Sequence, residues 1–142
     1  MTEEKKDFFV SDISLSYQYT AGNATTRFLN KVAEGKLVAQ KCPKCSAVYV
    51  PPRGSCPRCG VATEEELELP DTGAVESFTI VHIPIPGNPI VPPYVSAMIR
   101  LDGADISFLH LIQEIDLADI RIGMRVQACL LYTSDAADDH HR

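Results

Sequence analysis

Cys42 to Gly60 reads CPKCSAVYVPPRGSCPRCG. Two Cys-x-x-Cys pairs, Cys42/Cys45 and Cys56/Cys59, stand ten residues apart. Thiolates three residues apart grip one metal ion from a single tight turn. A short hairpin then closes the two turns on each other into a tetrahedral four-cysteine site with Zn–S bonds of about 2.3 Å. Four thiolates leave no position for a water, so the zinc is expected to be structural, one ion per chain. Disulfides would require an oxidising compartment. A thioredoxin-like redox pair would sit at a helix N-terminus after a strand and would not be duplicated at this spacing.

Five cations, Lys36, Lys41, Lys44, Arg53 and Arg58, fall in a window without one acid. A zinc held by four thiolates carries a formal charge of about −2, so these side chains are expected to neutralise it from a second layer. A phosphate-binding patch, for nucleic acid or for coenzyme A, is the competing reading.

The whole chain has 142 residues and a formal net charge of −6, which argues against a general nucleic-acid binder. No apolar run reaches membrane-spanning length, and Met1-Thr-Glu-Glu-Lys-Lys6 is not a secretory signal. Thiolate zinc without an export signal points to the cytoplasm.

Upstream of the cysteines, residues 1–7 are charged and expected to fray. Phe8 to Tyr19 reads as an extended aromatic arm, and Thr20 to Asn23 as a turn. Ala24 to Glu34 reads as a short helix with Phe28, Leu29 and Val32 on its apolar side and Gly35 as its stop. That apolar side must dock, either on the chain's own body or on a partner. Lys36 to Gln40 and Val48 to Val50 read as strands of the ribbon, and Glu64-Glu65-Glu66 as a solvated acidic linker.

From Leu67 onward the pattern is one of short strands separated by turns. Ala74 to Ile83 is expected to place Val75, Ser77, Thr79 and Val81 on one face and Phe78, Ile80 and His82 on the other. Pro84 to Pro93 is too proline-rich for a central strand and reads as a stiff loop with exposed apolar side chains. Tyr94 to Leu101, Asp105 to Ile112 and Arg125 to Leu130 are the remaining strands, with Asp102-Gly103 as a hairpin turn. The fold class is therefore mainly β: an N-terminal arm and helix (1–35), a rubredoxin-like zinc ribbon (36–66) and a small barrel (67–131), with the OB-fold as the best-known five-stranded case.

The order of pieces carries a resemblance. Glu34-Gly35-Lys36-Leu37 precedes the first Cys-x-x-Cys, Val50-Pro51-Pro52-Arg53 stands between the pairs, and Cys-Pro-x-Cys-Gly follows. Gly73-x-Val75-x-Ser77-Phe78-Thr79, Pro92-Pro93-Tyr94 and Ile122-Gly123-Met124-x-Val126 come after them. Over roughly Tyr17 to Ala128 this resembles the zinc-ribbon/OB-fold family known as domain of unknown function thirty-five. The resemblance implies accessory subunits that bind a thiolase or a thiolase-related aldolase of sterol side-chain breakdown. In archaeal relatives it implies a bridge between a thiolase and a hydroxymethylglutaryl-CoA synthase. Two departures stand out. Ser46 replaces a glycine common after the second cysteine. Cys129 to Asp139 (CLLYTSDAADD) reads as translated sequencing adapter, so residues 129–142 are expected to be non-native, with the barrel truncated and Cys129, His140 and His141 foreign.

No catalytic set emerges. His82 and His110 fall in expected strands, where a lone histidine is a structural residue more often than a base. There is no Gly-x-Ser-x-Gly and no Gly-rich phosphate loop. The functional expectation is a non-catalytic zinc-binding scaffold for a thiolase-like enzyme in acyl-CoA metabolism, in contact with acyl-CoA. The alternative is a single-stranded nucleic-acid binder, for which stacking aromatics are sparse and tryptophan is absent.

Overall fold

Two antiparallel sheets organise the described residues, 15–130, of the computed structural model. Most of the expected arm, from Phe8 to Ser14, and the tail from Leu131 onward lie outside them. The elements are α1 (Gly22–Ala33), β1 (Leu37–Lys41), β2 (Val48–Tyr49), β3 (Glu65–Leu69), β4 (Thr72–Val81), β5 (Tyr94–Leu101), β6 (Phe108–Ile112) and β7 (Arg125–Gln127).

Helix α1 ends as the glycine requires. Gly35 has φ 77°, and its amide donates to the Val32 carbonyl while the Lys36 amide donates back to the Lys31 carbonyl. This pair of bonds satisfies carbonyls that the last turn would otherwise orphan. Phe28 and Val32 pack on the chain's own core, whereas Leu29 is 54% exposed. The helical apolar side is thus split between self and solvent.

The first sheet has the order β2-β1-β3. Its third strand corrects the reading of Glu64-Glu65-Glu66 as a linker. Glu65 to Leu69 pairs along the whole of β1, from Lys41↔Glu65 to Leu37↔Leu69. The stretch EELEL alternates, so Leu67 and Leu69 join the core while the carboxylates face water on an edge strand. Two of those carboxylates meet cations: Arg27 with Glu66 at 3.6 Å and Lys36 with Glu68 at 3.5 Å.

The second sheet has the order β6-β5-β4-β7. It is open: among the described residues no strand joins β6 to β7. Strand β5 falls where alternation placed it, with Val95, Ala97, Ile99 and Leu101 buried. Strand β4 carries a bulge between Val75 and Ser77. The extra residue, Glu76, reverses the alternation after it. Val75, Phe78 and Ile80 therefore share one face, opposite Ile99, Ala97 and Val95. Strict period-two counting put Val75 on the other side from Phe78 and Ile80. Gly73 has no room for a side chain against β5; a Cβ there would sit 2.6 Å from the Arg100 carbonyl oxygen.

One core cluster joins the two sheets, with Leu37, Ala39, Val50 and Leu69 meeting Leu101, and Phe28, Val32 and Phe108 packed around them. The β7 end is fastened separately. Arg125 pairs with Asp102, which also accepts the Thr72 hydroxyl at 2.6 Å, and the Gln127 side-chain amide donates to Asp71 at 2.8 Å. Beyond β7 the alternation continues to Leu130, with Val126, Ala128 and Leu130 half-buried, but after Gln127 the pairing is reduced to the bond from the Ala128 amide to the Asp71 carbonyl at 2.7 Å. The expected last strand is shorter for that reason. His82 lies just past β4 and is exposed, and His110 lies in β6, also exposed.

Candidate metal centre

Strand β1 delivers Cys42 directly, and the chain then makes two turns of the same form fourteen residues apart. In the first, the Cys42 amide donates to the Ala47 carbonyl at 2.8 Å and the Ser46 amide to the Cys42 carbonyl at 2.9 Å. In the second, Cys56 donates to Val61 at 2.8 Å and Gly60 to Cys56 at 2.9 Å. Each turn needs a left-handed residue after its second cysteine: Ser46 at φ 60° and Gly60 at φ 65°. The departure at Ser46 therefore occupies the one position of its turn where a side chain is strained.

These turns bring all four Sγ atoms of Cys42, Cys45, Cys56 and Cys59 within 4.8 Å of one another. Cys45 and Cys56 Sγ are 3.7 Å apart. A tetrahedron with 2.3 Å metal–sulfur bonds has an edge of about 3.8 Å; the Cys45–Cys56 separation already matches it, and the remaining pairs, all within 4.8 Å, need move by no more than about 1 Å to hold one zinc ion. The first cysteine of each pair is buried, Cys42 at 0% and Cys56 at 1% exposure, whereas Cys45 is exposed and Cys59 intermediate.

Backbone amides, rather than the expected cations, solvate the sulfurs. The Lys44 and Cys45 amides point at Cys42 Sγ from 3.4 and 3.5 Å. Lys36 is engaged by Glu68, and Lys41, Lys44, Arg53 and Arg58 make no ion pair among the described residues. A knuckle gathers its own N–H dipoles around the thiolate, so the sulfurs need no hydrogen bond from the long side chains, of which Lys44, Arg53 and Arg58 are exposed and Lys41 half-buried.

A residue that motif reading passed over completes the site. Tyr49 is buried, and its hydroxyl lies 3.2 Å from Cys56 Sγ. That bond draws the Cys56 thiol down to about 6, and the same bond, with burial, pushes Tyr49 up to about 12. Cys59 is pushed up to about 12, first by its hydrogen bond with Cys45 and then by burial. Without a cation, four crowded sulfurs cannot all be thiolates; a bound divalent ion removes that conflict.

Two further contacts anchor the ribbon. Gln40 is fully buried, and its Oε1 accepts from the Gly54 amide at 3.0 Å and the Thr63 hydroxyl at 3.1 Å, clasping both sides of the second turn. From the connection between β5 and β6, Asp105 takes the Val48 amide on Oδ2 at 2.7 Å and returns its own amide to the Val48 carbonyl at 3.0 Å. Ile106 then packs against the cysteine cluster. Neither contact has a local motif. Both come from residues distant in the chain.

Family models match both halves. Residues 30–65 match the ChsH2 rubredoxin-like zinc ribbon domain, and residues 66–131 the ChsH2 C-terminal OB-fold domain. A DUF35 domain-containing scaffold protein from Methanocaldococcus jannaschii is 35% identical over 105 residues, covering 72% of this chain and 73% of that protein. The chain belongs to the DUF35 family. A DUF35-family structure from Sulfolobus solfataricus superposes with a TM-score of 0.60 at 29% identity, over 72% of this chain and 74% of that one. The Ltp2-ChsH2(DUF35) aldolase superposes with a TM-score of 0.63, also at 29% identity, over 77% of this chain and 85% of the other. A probable enoyl-CoA hydratase alpha subunit from Thermomonospora curvata is 36% identical over 66 residues, which is 46% of this chain and only 20% of that subunit. The DUF35 chain described here thus combines a zinc ribbon with four cysteines positioned for one metal ion and an OB-fold domain, and is related to a scaffold protein. Among its described residues no helix is long and apolar enough to cross a membrane.

Proposed function

We propose that this DUF35 protein is a non-catalytic scaffold subunit, its ribbon held by a structural zinc on Cys42, Cys45, Cys56 and Cys59, that binds a thiolase-like enzyme of acyl-CoA metabolism in the cytoplasm. The observation that carries the reading is the apolar loop between β4 and β5. Ile83, Ile85 and Val91 stand 76%, 57% and 82% exposed on it. Three large aliphatic side chains held in water on one proline-stiffened loop mark an interaction surface rather than a core. The similarity to an aldolase complex that contains a DUF35 chain supports the kind of partner. The related hydratase subunit supports the acyl-CoA setting.

Contact with the acyl-CoA substrate belongs to the same proposal. An open cleft of about 580 Å³ lies between α1 and β6, lined by Phe28, Leu29, Val32, Leu101, Phe108 and Ala128. Its size is that of a small-molecule site. The chemistry itself is assigned to the partner, which would supply the catalytic cysteine or its equivalent.

The helix is a poor place to probe docking, because Phe28 supports the chain's own core. The loop is the better one. Ile83→Asp with Val91→Asp is expected to abolish association with the thiolase-like partner while zinc content and thermal stability stay unchanged. A double variant that still stimulates and co-elutes with the enzyme would remove the loop from the interface. The nucleic-acid alternative predicts tight, steeply salt-dependent binding of single-stranded DNA or RNA; the scaffold reading predicts none at physiological salt.

A further inference from the structure

The two ends of the sulfur cluster differ in access. Cys42 and Cys56 are sealed by the ribbon core, whereas Cys45 is exposed at the tip of its turn, flanked by exposed Lys44 and Ser46. Cys59, from the opposite turn, is partly exposed, flanked by exposed Arg58 and Gly60. These two sulfurs lie within 4.8 Å of each other. Oxidant arriving from solvent therefore meets one thiolate from each turn before it meets either buried one. Lys44 and Arg58 are the chain neighbours of Cys45 and Cys59, are exposed, and make no ion pair among the described residues; each turn thus carries an uncompensated positive charge, which favours the anion that leaves when a peroxide is attacked there.

We propose that Cys45 and Cys59 form a hydroperoxide-sensitive pair whose oxidation to a disulfide opens the metal site and loosens the ribbon from the second sheet. The inference rests on the zinc-ligand assignment above. In the first step the Cys45 thiolate attacks one oxygen of the peroxide. An S–O bond forms, the O–O bond breaks, and hydroxide (or, from an organic peroxide, alkoxide) leaves. In the second, the Cys59 thiolate attacks the Cys45 sulfur, the S–S bond forms, the S–O bond breaks, and a second hydroxide leaves. Two thiolates have lost two electrons and the peroxide has gained them. Cys42 and Cys56 remain as only two ligands, too few to retain a tetrahedral zinc.

The consequence reaches the second sheet through contacts already described. Val48 and Asp105 exchange two hydrogen bonds across the junction, and Ile106 packs on the cysteine cluster two residues before β6. Collapse of that cluster withdraws the support beneath Ile106 and frees the 105–107 connection. Strand β6, a wall of the apolar cleft, begins at its end.

The test uses the zinc-loaded full chain with Cys129→Ser, which removes the exposed fifth thiol. Hydrogen peroxide is titrated while a chromogenic chelator reports released zinc, peptide mapping identifies the disulfide, and hydrogen exchange follows the amides of Val48 and Asp105 to Phe108. The expected result is release of one zinc per chain in step with a Cys45–Cys59 disulfide and faster exchange at those amides, reversed by dithiothreitol and zinc. Cys45→His retains a zinc ligand but no thiol, and is expected to slow release about tenfold or more. A first disulfide within one turn, Cys42–Cys45 or Cys56–Cys59, overturns the proposal. So does zinc release without a change in exchange at Asp105, or release as fast from a zinc-loaded Cys45→His. Zinc absent from the reduced protein at the start would instead defeat the ligand assignment on which the proposal rests.

Discussion

Replacing Ser46 by glycine should make the protein more stable, although it deletes a side chain. Ser46 sits at φ 60°, where an L-residue brings its Cβ against the next carbonyl at a cost of roughly 1–2 kcal/mol. Glycine removes that cost but adds freedom to the unfolded chain, worth roughly 0.5–1 kcal/mol in the other direction. The Ser46 hydroxyl makes no hydrogen bond among the described residues, so nothing else is forfeited. The net gain is about 0–1.5 kcal/mol, centred on about 0.75 kcal/mol, which at roughly 4 °C per kcal/mol for a body this size is about 3 °C in the melting temperature and at most about 6 °C. The second turn supplies the reciprocal experiment. Gly60 sits at φ 65° in the same hydrogen-bonded form, so Gly60→Ser should lose about what Ser46→Gly gains. Calorimetry of the zinc-loaded proteins at one zinc concentration measures both, because free metal itself shifts the midpoint. A Ser46→Gly protein that melts lower than the parent would refute the equivalence of the two turns.

Other outcomes follow from the same geometry. Cys56→Ser removes a buried ligand and the partner of Tyr49, so elemental analysis should find less than one zinc per chain and exchange should show an unfolded ribbon. Gly73→Ala should cost about 1–3 kcal/mol, read as a lowered denaturation midpoint, because its methyl would meet the backbone oxygen of Arg100 rather than a side chain that can move. Asp102 is held well below the usual carboxylate range, first by its hydrogen bond from Arg125 and then by that from Thr72. A carboxyl depressed on folding stabilises above its unfolded pKa of about 4 and loses that contribution as pH falls toward its folded value. Asp102→Asn should therefore melt lower than the parent at neutral pH, with the difference closing in strong acid; a constant gap across the acid limb would show that the pair carries no proton linkage.

The zinc ribbon was legible because metal ligation imposes a spacing that few other structures share. Cys42, Cys45, Cys56 and Cys59 could be assigned together from their intervals alone, and the structure places their sulfurs in one cluster. Strand β5 was legible because each of its buried residues alternates without interruption. Strand β3 was not, because three successive glutamates look like solvent-bound linker until β1 is known to lie beside them. The face of β4 was misjudged at a single residue: Glu76 is one bulged position, and a bulge has no composition of its own. Tyr49 and Asp105 were invisible for a further reason. Their roles come from long-range pairing of groups that any strand or turn can carry.

Co-expression of the full chain with a thiolase-like enzyme, followed by light-scattering mass determination of the eluted species, tests the scaffold reading most directly. One stoichiometric complex is expected, retaining the zinc of this chain, with an interface of about 1,200–2,000 Å² or more that the Ile83→Asp, Val91→Asp variant disrupts. Two species eluting at their separate masses, with enzyme activity indifferent to the presence of this chain, would contradict it.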